Sequence, residues 1–226
     1  MGSPVHTPPP DLFASAAITR RTFLGCCSAL ALAAAGCRDL SFRTRIGRNL
    51  LNDPPPQRYQ AALDHLIRVV LPLEAPGCPW TSERVRGHLL SLFPLEREPR
   101  FVAVQSTLTV FDDTDLFPHL IPADAERRAL DVANDEALDA LIARKRAGDE
   151  ALYGRLAARN GSDARFSTLG LDRQREYFDM WRQSAFIFKR QFYASARSLV
   201  LISAYSLEES WPAISYAGPR LPKRRT

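Results

Sequence analysis

The residues that could do chemistry are the histidines, an acidic triplet and the cysteines, and their spacing argues against a shared site. His65, His88 and His119 fall on separate predicted elements without the close spacing of a metal-binding pair, and His6 lies near the start of the chain. Asp112, Asp113 and Asp115 could ligate a hard cation, but the run lacks the glycine and the terminal glutamate of a calcium loop. A solvated turn or a helix-end cap is the expectation there. The carboxylates of residues 126–139 are interleaved with Arg127 and Arg128, as on a solvated helix face. Neither a Gly-x-Ser-x-Gly elbow, nor a phosphate-binding glycine loop, nor a dinucleotide fingerprint is present. Cys-x-x-Cys-His is absent too, which removes covalent haem attachment, and nothing in the cysteine spacing supports an iron–sulfur site. The expectation is a chain that is not an enzyme by itself, with no catalytic, cofactor-binding or metal-binding residues.

One covalent step remains open. Ala34-Ala35-Gly36-Cys37 is similar to a lipoprotein processing box, in which Cys37 would be acylated and become the new N-terminus. The alternative is ordinary cleavage near Ala35, with Ala33 and Ala35 as the small-residue pair.

Both outcomes depend on the stretch before them. Arg20 and Arg21 are followed by Phe23 and Leu24, then by an apolar run that ends at Gly36. A basic end, a greasy centre and small residues at the processing point make an export signal. The paired arginines followed by Phe-Leu match the twin-arginine address. The apolar run is roughly 14 residues, below the roughly 17–25 of a permanent membrane span. Arg38, Arg43, Arg45 and Arg48 follow it against Asp39, and such a flank hinders the threading of an unfolded chain. A route that carries folded cargo is less troubled by it. The expected location is periplasmic and membrane-associated.

Beyond the signal, roughly 190 residues remain, enough for one domain with a core. The formal net charge is +5, concentrated at residues 38–48 and in the tail at Arg220, Lys223, Arg224 and Arg225. For an exported protein this favours contact with anionic lipid head groups, or simple solubility, over nucleic acid. Without Cys26 and Cys27, which lie in the signal, Cys37 and Cys78 cannot form a disulfide framework.

Three regions follow: residues 1–37, a Pro-rich N-terminus and the signal; 38–57, a basic linker stiffened by prolines; and 58–226, a helical domain. Helical periodicity is expected over Arg58–Leu71, stopped by Pro72, with Tyr59, Leu63, Leu66, Ile67 and Val70 inward. Residues 74–80 read as a turn. Ser82 is the expected cap of a helix through Phe93, and a third helix is expected from about Pro99 to Phe111, with residues 112–122 a loop. Asp124–Arg146 reads as a helix ended by Gly148, with a short helix from Asp149 to Asn160 after it. Asp172 is the expected cap of a helix through Gln183. A longer one runs to Tyr205, with Phe188, Phe192, Ala196, Leu199 and Ile202 inward and further apolar residues on its other sides. The fold class is all-α, an irregular bundle with an extended C-terminal tail past Trp211.

The C-terminal third also carries a family pattern. Arg165-Phe166-x-x-Leu169, Trp181-x-x-Ser184, Phe192, Tyr205 and Trp211-x-x-Ile214-x-Tyr216-x-Gly218-Pro219 resemble gluconate 2-dehydrogenase subunit 3. The resemblance implies a small subunit without a cofactor. It would pair with a large FAD-containing subunit of the glucose–methanol–choline class, in many members with a cytochrome c subunit as well. It also implies that the small subunit helps its partner mature and lends it passage through the twin-arginine translocation machinery. Trp211, Ile214, Tyr216, Gly218 and Pro219 are the expected partner contacts, because an extended aromatic tail buries little by itself. The alternative is a stand-alone helical envelope lipoprotein with a binding or scaffolding role, and Cys37 is the residue that favours it. Trp181 and Phe192, at helical spacing, are expected in the core.

Overall fold

The computed structural model describes residues 56–91, 99–121, 134–160 and 164–212. These form six α-helices: α1 (Pro56–Val70), α2 (Ser82–Ser91), α3 (Pro99–Asp112), α4 (Asp135–Asn160), α5 (Leu171–Gln183) and α6 (Ile187–Tyr205). Short 3-10 turns lie at Thr114–His119, Phe166–Thr168 and Glu208–Ser210. No strand occurs among the described residues, so the all-helical expectation holds.

Local sequence explains most of the boundaries. Pro72 prevents α1 from continuing, and the chain turns through Gly77, whose φ of 76° favours glycine. The cap of α2 is Thr81 rather than Ser82: Thr81 Oγ1 accepts the Arg84 N–H at 3.3 Å. The Ser82 hydroxyl instead donates to Asp64 Oδ1 at 3.1 Å, and Arg86 also pairs with Asp64, so both residues tie α2 to α1. Asp172 is likewise not the cap of α5; Gly170 is, and Asp172 stands in the first turn where its charge suits the helix dipole.

Two expectations in the middle of the chain are overturned. Gly148 does not end a helix, since α4 runs unbroken from Asp135 to Asn160, and Asn134 caps it by accepting the Ala137 N–H at 2.8 Å. A glycine inside a helix costs about 1 kcal/mol. Here the following residue, Asp149, is anchored in the interior, and that contact holds the helix through the weak point. The second correction concerns residues 112–120. They are no solvated turn, for Asp112, Thr114, Asp115, Leu116, Phe117 and Leu120 are all buried.

That burial follows from the place of α3. From Val104 to Asp112 every side chain except Gln105 is buried, so this part of the helix has no solvent face and runs through the centre. Phe111 near its end is the hub of the core. Its ring centroid lies 4.7 Å from Phe166, 5.3 Å from Tyr177, 5.3 Å from Trp181, 5.5 Å from Phe192 and 6.2 Å from Phe178. The family-pattern residues Phe166, Trp181 and Phe192 are therefore core, as their spacing suggested for the last two. α1 packs across α3 and α5, α2 covers α6, and α4 lies along α5 and the 114–119 turn.

Just past the hub, the acidic triplet closes the end of α3. Asp112 Oδ1 accepts the Ser167 N–H at 2.9 Å, Thr114 Oγ1 donates to the Ala164 carbonyl at 2.7 Å, and the Tyr153 hydroxyl donates to Asp115. The carboxylates satisfy buried donors, as burial of charge requires.

Tyr177 is wholly buried and donates to the Phe111 carbonyl at 3.0 Å. Burial first, and then the nearby Asp112 and Asp113, hold its phenol well above the usual 10.0, with the Trp181 indole opposing them. A raised phenol contributes stability that is intact below about pH 10 and is lost above it, because the unfolded chain gives up its proton first. The loss is about 1.4 kcal/mol per pH unit for one such group. Tyr177→Phe is expected to cost about 1 kcal/mol at neutral pH. It should also flatten the fall in stability above about pH 10, measured by urea unfolding across pH.

Candidate functional site

Two places in this body hold polar groups in non-routine arrangements. The first is a buried ion pair. Lys189 in α6 and Asp149 in α4 are both at 0% exposure, with Nζ 2.5 Å from Asp149 Oδ2. The ammonium also donates to the Phe117 carbonyl at 2.5 Å and faces the Phe117 and Phe186 rings at 4.2 and 5.0 Å. Asp149 is saturated from the other side. Ser184 Oγ donates to its Oδ2 at 2.9 Å and the Ala185 N–H to its Oδ1 at 3.2 Å, while Ser184 Oγ accepts the Phe186 N–H at 3.1 Å.

A serine, a lysine and an aspartate in one cluster invite a nucleophilic reading. The geometry points elsewhere. The ammonium is occupied by a carboxylate and a carbonyl, the hydroxyl both donates and accepts within the cluster, and all three residues are inside the packed body. Neither of the two open clefts described for the body is lined by any of them. The cluster locks the α5–α6 corner onto α4.

The second place is the end of α6. Trp80, from the loop before α2, donates its indole N–H to Ser210 Oγ at 2.6 Å and to the Ala204 carbonyl at 3.1 Å. Ser210 Oγ in turn donates to that carbonyl at 2.5 Å, and the Tyr205 ring meets Trp80 edge-on at 5.4 Å. The Ala204 carbonyl at this helix end, which also accepts the Leu207 N–H at 3.2 Å, is thus covered, and Ser210 is held against it as a fixed root. Trp211 stands on this root, half-buried, its N–H bonded to the Glu208 carbonyl at 3.1 Å. Arg84 reaches across from α2 to Glu209 at 2.8 Å, an exposed pair that adds little.

Of the residues singled out in the sequence, Trp211 alone among the expected partner contacts lies within the described residues. Ile214, Tyr216, Gly218 and Pro219 lie outside them, as do Arg20, Arg21, Phe23, Leu24 and Cys37. The histidines are not brought together: His65 Nδ1 lies 2.8 Å from Gln174 Nε2, while His88 is on α2 and His119 ends the 114–119 turn. Among the described residues no group of three or more His, Cys, Asp or Glu side chains could hold a metal ion. No helix of the described residues is long and apolar enough to cross a membrane.

Sequence reasoning missed Trp80, Asp149 and Lys189. A signal for Lys189 existed: it stands in Phe186-Ile-Phe188-Lys189-Arg-Gln-Phe192, three residues from both Phe186 and Phe192, on the stripe that faces inward. For Asp149 and Trp80 there was none. The chain matches no family model, no curated protein and no solved structure.

Removing one partner of a buried ion pair costs about 3–5 kcal/mol, because the other charge is left alone in the interior. Lys189→Met and Asp149→Leu are each expected to lose that much in urea unfolding. The double variant should be more stable than either single one, since neither charge is then stranded.

Proposed function

We propose that this chain is a non-catalytic accessory subunit of an exported, FAD-dependent dehydrogenase of the glucose–methanol–choline class, acting on sugars or alcohols. It binds the catalytic subunit before export and carries it across by the twin-arginine route. The flavin belongs to that partner, and a cytochrome c subunit would complete the electron path where one is present.

The observation that carries this reading is the C-terminal pattern from Trp211 to Pro219, preceded in the same chain by Arg20-Arg21-x-Phe23-Leu24. Its supports are physical. A pattern rich in aromatic and turn residues begins at Trp211, on a root pinned by Trp80 and Ser210. A fixed root lowers the ordering cost of docking an extended segment. The residues of the pattern that lie in the bundle, Phe166, Trp181, Ser184 and Phe192, are buried in the core and at the α5–α6 corner. Half of the pattern would therefore build the body and half would meet the partner.

A second reading, a stand-alone helical envelope lipoprotein, is favoured by Cys37 alone. The two differ in what comes down with the protein from membranes.

Replacing Arg20 and Arg21 together by lysine is expected to leave both this protein and its flavoprotein in the cytoplasm, read by fractionation and flavin fluorescence. Undiminished export of the flavoprotein in that variant would refute carriage. Trp211→Ala is expected to weaken the purified complex by about 2 kcal/mol, as for a buried aromatic anchor, with the unfolding of the isolated chain little changed. An unaltered affinity would place Trp211 in the bundle's own surface.

A further inference from the structure

On the face formed by the end of α1 and the outer side of α5 lie two open clefts. One, of about 450 Å³, is lined by Arg68, Leu71, Pro72, Trp80 and Arg175 among others. The other, of about 250 Å³, is lined by Val69, Val70, Phe178, Tyr193, Arg175 and Arg197. They share Arg175 and abut along residues 68–72, so together they make one groove of mixed polar and apolar lining with three arginines along it.

The charges of this groove are not used up by the bundle. Arg68 and Arg197 form no ion pair among the described residues, and Arg175 has only Asp172, 3.4 Å away on a side chain that is 97% exposed. The one carboxylate at the narrower end, Asp179, is already taken by Arg182 and Gln183, which with the Arg182 charge hold it below the usual carboxylate range. Glu74 is the remaining acid of the lining. The groove thus offers apolar contact flanked by guanidinium groups, which recognise carboxylates in a planar, two-pronged fashion.

We propose that this groove is the docking site for an acidic partner segment with an apolar centre. That the segment belongs to the partner subunit rests on the function proposed above. Charge selects this occupant. Two of the chain's own other segments, 38–48 and 220–225, are strongly basic and would be repelled by three arginines. Position selects it too, since Trp80 lines the groove and also holds the root of the C-terminal segment. A protein gripped by the tail would have its neighbouring surface laid along α5.

The test uses the full chain and, as probe, a short fluorescent helical peptide with leucines flanked by glutamates, beside the same peptide with glutamines. The acidic peptide should bind at least about tenfold more tightly than its neutral counterpart, and added salt should weaken it. The triple variant Arg68→Gln, Arg175→Gln, Arg197→Gln should lose about tenfold or more of that affinity. Arg155→Gln, an exposed arginine on α4, should lose none, and circular dichroism should show both variants folded. Equal binding of the two peptides, unaltered binding by the folded triple variant, preference for phosphatidylglycerol vesicles, or dimerisation through the same arginines would each overturn the proposal. Co-purification from native membranes separates it from the reading it rests on. A flavoprotein retained equally by wild type and triple variant refutes the groove and leaves the accessory role standing. Peptide binding with no flavoprotein retained by either supports the groove and refutes that role.

Discussion

An ammonium group with no access to water must be neutralised where it stands, and in this bundle that requirement falls on Lys189. Its answer is Asp149, on α4. Along α4 the fully buried side chains are Leu138, Asp149 and Leu156. Two buried leucines contribute about 1.5–3 kcal/mol each, while stranding one charge of such a pair costs about 3–5 kcal/mol. The ion pair therefore weighs as much as the apolar contacts in deciding where α4 lies. It also reaches both sides of the α5–α6 corner, through Ser184 and the Ala185 N–H on one and Lys189 on the other. A buried pair of this sort is weak evidence for added stability compared with an apolar substitute. What it supplies here is register: α4 can dock in the one position that brings Asp149 to Lys189.

Around that lock the core is aromatic. Phe111 gathers five rings from the 166–168 turn, α5 and α6, so the central helix α3 is joined to the C-terminal third by edge-to-face and tilted ring contacts. The acidic triplet just after Phe111 serves the same junction, with Asp112 and Thr114 bonded to the strap at residues 164–167. Phe166, Trp181 and Phe192 are in this way built into the centre of the body. The end of α6 is held at its other side by Trp80. On the accessory-subunit reading, this continuity would let the fit of a bound partner be felt in the packing of α5 and α6.

Helix-forming periodicity was legible wherever one face alone is buried. α1, α5 and α6 begin and end within a few residues of where their apolar spacing and prolines place them, and Phe188, Phe192, Ala196 and Leu199 are inward as expected. Legibility failed where burial was all-round or polar. α3 was legible as a helix from Pro99 to Phe111, but the burial of Ser106, Thr107 and Thr109 beside its apolar residues was not. Residues 112–115 look like a surface turn because their partners, at 153 and 164–167, are distant in sequence.

What the sequence determined by itself is local: helical class, the breaks at Pro72 and at the 74–80 turn, and the apolar stripe of α6. These follow from backbone propensity and from periods of a few residues, which a single segment carries within it. The tertiary structure alone decided that Gly148 lies inside a helix, that Asp149 meets Lys189 forty positions away, and that Trp80 holds the end of α6. Each of these rests on a polar group finding its one partner across the bundle once water is gone. No local pattern encodes that pairing, because in the unfolded chain water satisfies the same groups equally well.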